Sequence, residues 1–447
     1  MILSVPAQCG AAFRWLLHSR HAAASIAQTI AARFMLAGMS VVTGIITARA
    51  LGATGRGEQT AMGLWPLIIP YLLTLGMSTA VRYCIRRQPE RSAELFTVAM
   101  LVATVMSVVA IGVGVVFIPH WLHEYSGSVV RQAQFMMLFA PQVALTLILT
   151  AMLETQGDFK LANSTRVIST VLTLASLTVM AFMHVLTPSL TTLTYFVPPM
   201  LTSAWVAWKL RAFFARRLFD PRPGLKILGS YGLRSYGVDV LATLSQQIDQ
   251  VLVVGLLSAS AMGVYAIALS ASRVLQLLHQ AVVTVIFPNA SGLAQERVVP
   301  VVARAARVST VIATLFSAIL AAALPFLIPL FYGRGYAGAI GVAQVLTLEA
   351  LIGGLVYVLA QAFMASNRPG LVTAFQGLGF CVAVPCMLVL MPHFGLMGAA
   401  VALLISTCAR LAFLLASFRM ILHVPMPQLI PTADDLVSFR RALAARI

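Results

Sequence analysis

The sequence predicts an all-α polytopic membrane protein, with about twelve transmembrane helices in two six-helix bundles around a central cavity. Three observations predict it. Apolar residues fill 60% and charged residues 10% of the 447 positions, and the apolar ones gather into long blocks. Each block has the roughly 20 residues that a helix needs to cross the hydrocarbon core. Most blocks are apolar all round, without the polar face of a soluble surface helix. Lipid admits only helices and closed barrels, because backbone groups must be satisfied internally. Barrel strands would alternate apolar and polar residues, and segments such as 101–117 (LVATVMSVVAIGVGVVF) and 310–324 (TVIATLFSAILAAAL) do not.

Taken in order, residues 1–25 hold Arg14 and Arg20 but no clean apolar stretch ahead of a small-residue cleavage site. They read as a retained basic arm on the cytoplasmic side. Six spans follow near 26–51, 59–84, 93–118, 132–156, 164–186 and 190–212, forming an N-terminal bundle over 26–212. The linker 213–229 holds the breakers Pro221, Pro223 and Gly224. A C-terminal bundle over 230–421 has spans near 230–255, 263–289, 303–330, 339–365, 371–391 and 397–421, and 422–447 is a cytoplasmic tail. Prolines 66, 70, 141, 198, 199, 325, 329 and 385 fall within or at the ends of spans. Each removes a helix donor, so bends are expected there, for packing or beside a watery cavity.

Net charge is +17, and its distribution is that of a topology signal. With these spans, twenty-one basic residues lie on the side of the two termini, and only Arg56, Arg131 and Arg334 on the other. By the positive-inside rule both termini are cytoplasmic, and nucleic acid is not a partner. The halves also resemble each other. Ala133-Gln134 through residues 157–164 parallels Ala343-Gln344 through 367–374, and 51–61 (LGATGRGEQTA) lies opposite 257–267 (LSASAMGVYAI), Gly57 falling on Gly263. Both halves start and end on the same side, so an axis along the membrane normal would relate them, as in transporters with parallel repeats.

The remaining six arginines lie within spans, where a charge costs about 2.5–3.5 kcal/mol at the bilayer centre. Arg49, Arg82 and Arg234 are near span ends, within snorkelling range; Arg33, Arg273 and Arg410 are deeper. In the seventh span Ser235, Asp239, Thr243, Gln246 and Gln250 recur at helical spacing, and Arg273, Gln276 and Gln280 do so in the eighth. Two polar stripes on consecutive helices imply a wet interior. Guanidinium forks suit phosphate oxygens, so the expected cargo carries phosphate or pyrophosphate, as a lipid-linked sugar does. Asp239, Asp249 and Glu349 are the membrane acids expected to bind a resetting cation, Na⁺ or H⁺; structural ion pairs with arginine are the alternative.

Enzymatic chemistry finds little support. The eight histidines are scattered, and Cys9, Cys84, Cys381, Cys386 and Cys408 have no metal-ligand spacing. No catalytic residue, metal ligand or cofactor is expected. The GxGxxG at 333–338 has no βαβ context. The glycosylation sequons at 163–165 and 289–291 fall on the cytoplasmic side.

Residues 48–61 (ARALGATGRGEQTA), 75–83 (LGMSTAVRY), 246–268 (QQIDQVLVVGLLSASAMGVYAIA), 286–293 (IFPNASGL) and 332–339 (YGRGYAGA) carry a likeness covering nearly the whole chain. It resembles the polysaccharide-exporter and O-antigen flippase branch of the multidrug/oligosaccharidyl-lipid/polysaccharide exporter superfamily. The resemblance implies a MATE-like pair of six-helix bundles, alternating access, and a cationic cavity at Arg33, Arg82, Arg234, Arg273 and Arg410. The expected function is outward translocation of polyprenyl-diphosphate-linked oligosaccharide across a bacterial inner membrane. Membrane lipids, a polysaccharide polymerase and other assembly proteins are candidate partners. Competing readings are a cation-coupled multidrug exporter, which requires an acid-dominated cavity, a membrane glycosyltransferase, which requires a larger hydrophilic loop, and a non-transporting assembly scaffold.

Overall fold

The computed structural model describes residues 20–214, 220–291, 295–366, 368–424 and 426–427; the side chains of 20–34, 238, 242, 281, 284–291 and 295–297 lie outside that description. Among the described residues there are helices and no strands. They are α1 (Arg20–Leu73), α2 (Met77–Arg87), α3 (Ser92–Trp121), α4 (Gly127–Met136), α5 (Ala140–Thr155) and α6 (Phe159–Phe182). Then follow α7 (Pro188–Lys209), α8 (Pro221–Leu256), α9 (Ala259–Ser291), α10 (Gln295–Tyr332), α11 (Ala339–Ala365) and α12 (Pro369–Met420).

The two longest helices are each two spans in series. The backbone of α1 breaks at Gly52 (φ 66°) and that of α12 at Gly395 (φ 55°), a left-handed conformation that glycine adopts without a Cβ penalty. Where the sequence suggested a loop over 52–58, one residue makes the turn. The second span then runs on through α2, and α4 continues into α5. Side-chain caps begin several helices: Asp158 accepts from the Leu161 N–H at 3.0 Å before α6, and Asp220 from the Arg222 N–H at 3.0 Å before α8.

By length and apolarity, eight helical stretches of the described residues qualify to cross a bilayer. Neither α7, rich in Thr and Pro, nor α8, with its polar stripe, is among them. Large apolar side chains nonetheless cover the outside: Phe182 is 81% and Phe326 76% exposed. In water such a surface would aggregate; in lipid it is solvated. The chain is a multi-pass membrane protein.

Helices run alternately between two faces. The C-terminal ends of α2, α5, α7, α9, α11 and α12 lie on one, which also holds most of the basic residues and is termed the basic face. The opposite face has the breaks at Gly52 and Gly395 and the C-terminal ends of α3, α6, α8 and α10.

The core divides along this axis. Toward the opposite face one continuous cluster joins both halves, from Met62, Trp65 and Ile118 to Tyr265, Leu346 and Ala399. Away from that face the buried residues separate by half, a small cluster of Leu275, Ala313 and Ala350 joining only α9, α10 and α11, and two larger groups lying toward the basic face. One group, with Phe96, Ala99 and Ile148, belongs to α2–α7 and takes in Leu228 of α8. The other, with Val302, Leu359, Phe363 and Phe418, belongs to α9–α12.

A close helix crossing fastens the opposite face. Ala53 and Gly57 of α1, and Ala259 and Gly263 of α9, are small residues four apart, the spacing that lets helix backbones approach in lipid. A Cβ on Gly57 would stand 1.7 Å from the Ala259 carbonyl oxygen, and one on Gly263 would stand 1.9 Å from that of Ala53. The contact is reciprocal, and it joins the two glycines that the internal repeat superposes. Around it, Arg49 donates to the Phe331 carbonyl at 2.8 Å and also to that of Leu330. Both belong to the last turn of α10, where carbonyls lack helical partners. Trp121 Nε1 donates to the Val251 carbonyl at 2.9 Å, and Tyr336 Oη to that of Ala48 at 3.0 Å. Tyr336 lies in the turn between α10 and α11, and burial pushes its phenol up to about 12, so it stays a neutral donor at physiological pH.

Candidate substrate cavities

The polar stripe of α8 does not face a single cavity. Asp239 and Thr243 line one within the N-terminal half, while Gln246, a turn further on, lines another within the C-terminal half. Gln250 bonds Gln247 instead, its Nε2 donating at 2.6 Å. The helix is a shared wall.

The N-terminal cavity, about 390 Å³, is bounded by α1, α2, α5, α6 and α8. Arg82 of α2 and Arg166 of α6 enter it together with Tyr71, Thr74, Ser78, Thr79 and Thr150. Glu154, at the end of α5, holds the cations: Arg82 Nε donates to Oε2 at 2.8 Å, and Arg166 Nη2 lies 3.8 Å from Oε1. Arg82 makes no other hydrogen bond among the described residues, so its two terminal nitrogens remain open. Its side chain is 41% exposed. Thr79 Oγ1 donates to Asp239 Oδ2 at 2.9 Å.

The C-terminal cavity, about 380 Å³, lies among α8, α9, α11 and α12. Here Glu349 accepts from Thr407 Oγ1 at 2.6 Å and pairs with Arg410 at 3.6 Å, and the Arg410 guanidinium also donates to Thr407. Gln276 and Gln280 of α9 line the same space, with His279 between them. Asp249 stands apart, buried against α9, where Tyr265 Oη donates to its Oδ2 at 2.8 Å. Arg273 is exposed near Asp249 and has no hydrogen bond or ion pair among the described residues.

The five arginines expected in one cavity are thus dispersed. Arg82 belongs to the N-terminal cavity and Arg410 to the C-terminal one. Arg273 continues the Gln276 and Gln280 face of α9. Arg234 is exposed on α8 and lines neither cavity. Arg33 lies in α1, with its side chain outside the described residues. Sequence reasoning missed Arg166, which counted as a topology charge, and Glu154, which stands at the end of the span expected near 132–156. It also missed His279, Tyr357, Gln376 and Thr407, single polar residues in apolar helices whose convergence only the packing creates.

The profile of a family described as "Polysaccharide biosynthesis protein" matches residues 63–341, more than half of the chain. The chain belongs to that family. No curated protein sequence matches it. Among solved structures it is similar to the lipid II flippase MurJ in an inward closed conformation, with a TM-score of 0.74 and 13% identity, covering 87% of this chain and 86% of that one. An inward-facing multidrug resistance MATE family transporter of the MOP superfamily gives a TM-score of 0.66 and 14% identity, over 86% and 93% of the two chains. A MOP superfamily transporter from Pyrococcus furiosus Vc1, described by a reverse polarity of its binding pocket, gives 0.59 and 14%, over 88% and 94%. This member of the polysaccharide biosynthesis family therefore has the fold of membrane flippases and transporters.

Proposed function

We propose that the protein translocates a lipid-linked, polyprenyl-diphosphate oligosaccharide across the bacterial inner membrane by alternating access, with its basic face in the cytoplasm. The observation that carries this reading is a set of membrane arginines with donors to spare. Arg82 gives only Nε to Glu154, and Arg273 has no hydrogen-bond partner among the described residues. Guanidinium groups keep their charge and pair with phosphate oxygens in a bidentate fork. Outward movement of an anion is also favoured by a negative interior, by about 2.3 kcal/mol per charge per 100 mV.

In this reading the two cavities flank the division between bundles at 26–212 and 230–421; of the linker expected over 213–229, residues 221–229 instead form the first turns of α8, where Pro221 sits at the helix start that tolerates it. Supporting the motion is a core split only toward the basic face. In this reading Asp239, Asp249 or Glu349 exchanges its present partner for Na⁺ or H⁺ during resetting. A multidrug exporter of hydrophobic cations would need an open carboxylate. Glu154, Asp239, Asp249 and Glu349 are each engaged by a donor within the chain.

The test is reconstitution into proteoliposomes with the host's lipid-linked saccharide, measuring the fraction accessible to an external glycosidase over time. We expect transfer by the parent protein, and at least about tenfold slower transfer by Arg82→Ala and Arg273→Ala, the loss of about one charge-assisted hydrogen bond each. No transfer by well-folded parent protein, or efflux of hydrophobic cations in its place, overturns the reading.

A further inference from the structure

The C-terminal cavity has a different chemistry from its neighbour. Its charges cancel within the wall, through the Glu349–Arg410 pair and Thr407. What remains open is amphoteric. Gln246, Gln276 and Gln376 line the space, and none makes a side-chain hydrogen bond among the described residues. A carboxamide both donates and accepts, as a hydroxyl does.

His279 sharpens the distinction. It is 2% exposed, and its Nδ1 lies 3.1 Å from the Leu275 carbonyl. A carbonyl only accepts, so Nδ1 holds a proton, and in the neutral ring that leaves Nε2 as an acceptor. That Nε2 is buried without a partner, as is the Nε–H donor of Arg410. Buried polar atoms of this kind are costly unless something bonds them. A phosphate oxygen would satisfy the arginine donor but has no proton for the imidazole. A set of hydroxyls satisfies both. Tyr357, 46% exposed, adds a flat ring on the same wall, suited to the C–H face of a pyranose.

We propose that this cavity is a subsite for the neutral, hydroxyl-rich sugar part of the substrate, separate from the arginines that hold phosphate. The proposal rests on the lipid-linked saccharide reading above and names which wall recognises which part. Gly354 belongs to the subsite as well. A Cβ there would stand 2.1 Å from the His279 ring, so glycine at this position leaves the imidazole its place.

The test uses the full chain in nanodiscs, with two probes measured by calorimetry. One is a neutral oligosaccharide released from the host's surface polysaccharide; the other is inorganic pyrophosphate. We expect Gln276→Ala and Gln376→Ala each to weaken the oligosaccharide about tenfold, near the upper range for one neutral hydrogen bond, while pyrophosphate changes by less than about twofold. Arg82→Ala, in the N-terminal cavity, should do the reverse, and melting curves should confirm that all variants stay folded. Oligosaccharide binding unaffected by the glutamine changes, or lost in proportion with pyrophosphate, overturns the subsite. Parent protein that binds pyrophosphate but no oligosaccharide also overturns it, leaving the broader reading standing. Parent protein that binds neither overturns both.

Discussion

The two ends of this molecule are built on opposite plans. Toward the face away from the basic residues, both halves share one core, a backbone-to-backbone crossing and three inter-half hydrogen-bonding side chains, Arg49, Trp121 and Tyr336. Toward the basic face the core of the described residues is divided between the halves, and α8 leans across, with Leu228 packed among N-terminal residues and Tyr231 stacked on Tyr83 at 4.0 Å between centroids. Lipid supplies no hydrophobic drive for helices to associate, so closeness must come from small residues and specific bonds. The difference teaches where the structure is fastened and where it is free to part.

The strongest challenge to that contrast is Gly57→Leu or Gly263→Leu. Each places a branched side chain where even a Cβ meets a carbonyl oxygen, so the crossing cannot form. Polysaccharide export should fall to background for both, and labelling of an Ala53→Cys probe by a membrane-impermeant maleimide should rise. Normal export from either variant would show that this closure is dispensable.

Arg82→Ala comes next. It removes an open guanidinium and leaves Glu154 with Arg166 at 3.8 Å. On the proposed function, export should drop by about tenfold or more, with lipid-linked intermediates accumulating. The double change Arg82→Ala with Glu154→Ala should restore the melting temperature but not export, separating fold support from cargo binding.

A smaller effect is expected from Glu349→Gln. The substitution keeps shape and a hydrogen bond from Thr407 but ends the pair with Arg410, whose side chain is 26% exposed. A fully buried pair broken on one side costs about 3–5 kcal/mol; partial exposure reduces this to about 1–2 kcal/mol. A double-mutant cycle with Arg410→Gln, read by thermal unfolding in detergent, should return a coupling of that size.

Trp121→Phe should be mildest. It loses one hydrogen bond to the Val251 carbonyl, worth about 0.5–1.5 kcal/mol. An effect confined to stability of the closed opposite face, with cargo affinity unchanged, would sharpen the division between fastening and binding.

Much of the fold was legible because lipid imposes one rule on every span. Twelve apolar blocks, the terminal side of the basic residues and the register placing Gly57 on Gly263 all follow from sequence alone. Contact between those glycines does not follow, since a repeat fixes equivalence and leaves distance open. The sites were legible in part. Asp239, Gln246 and Gln276 announced themselves by helical spacing, yet that spacing placed Asp239 and Gln246 on one face, and the structure sends them into different cavities. Arg166 was hidden because a basic residue near a span end serves topology equally well. His279 was hidden because one histidine in an apolar helix gives no pattern; its meaning comes from Gly354 on another helix and from a ring nitrogen left without a partner.

The position of α8 has a thermodynamic corollary. One stiff rod supplies Asp239 to one chamber and Gln246 to the next, less than two helical turns apart. If an occupant on one side tilts or rotates that rod, the wall facing the other side changes with it. By linkage, the second occupant must then act back on the first with equal coupling free energy. Two ligands that fill the chambers separately would thus report on each other's affinity, and a single molecule long enough to occupy both would collect that coupling in one binding event.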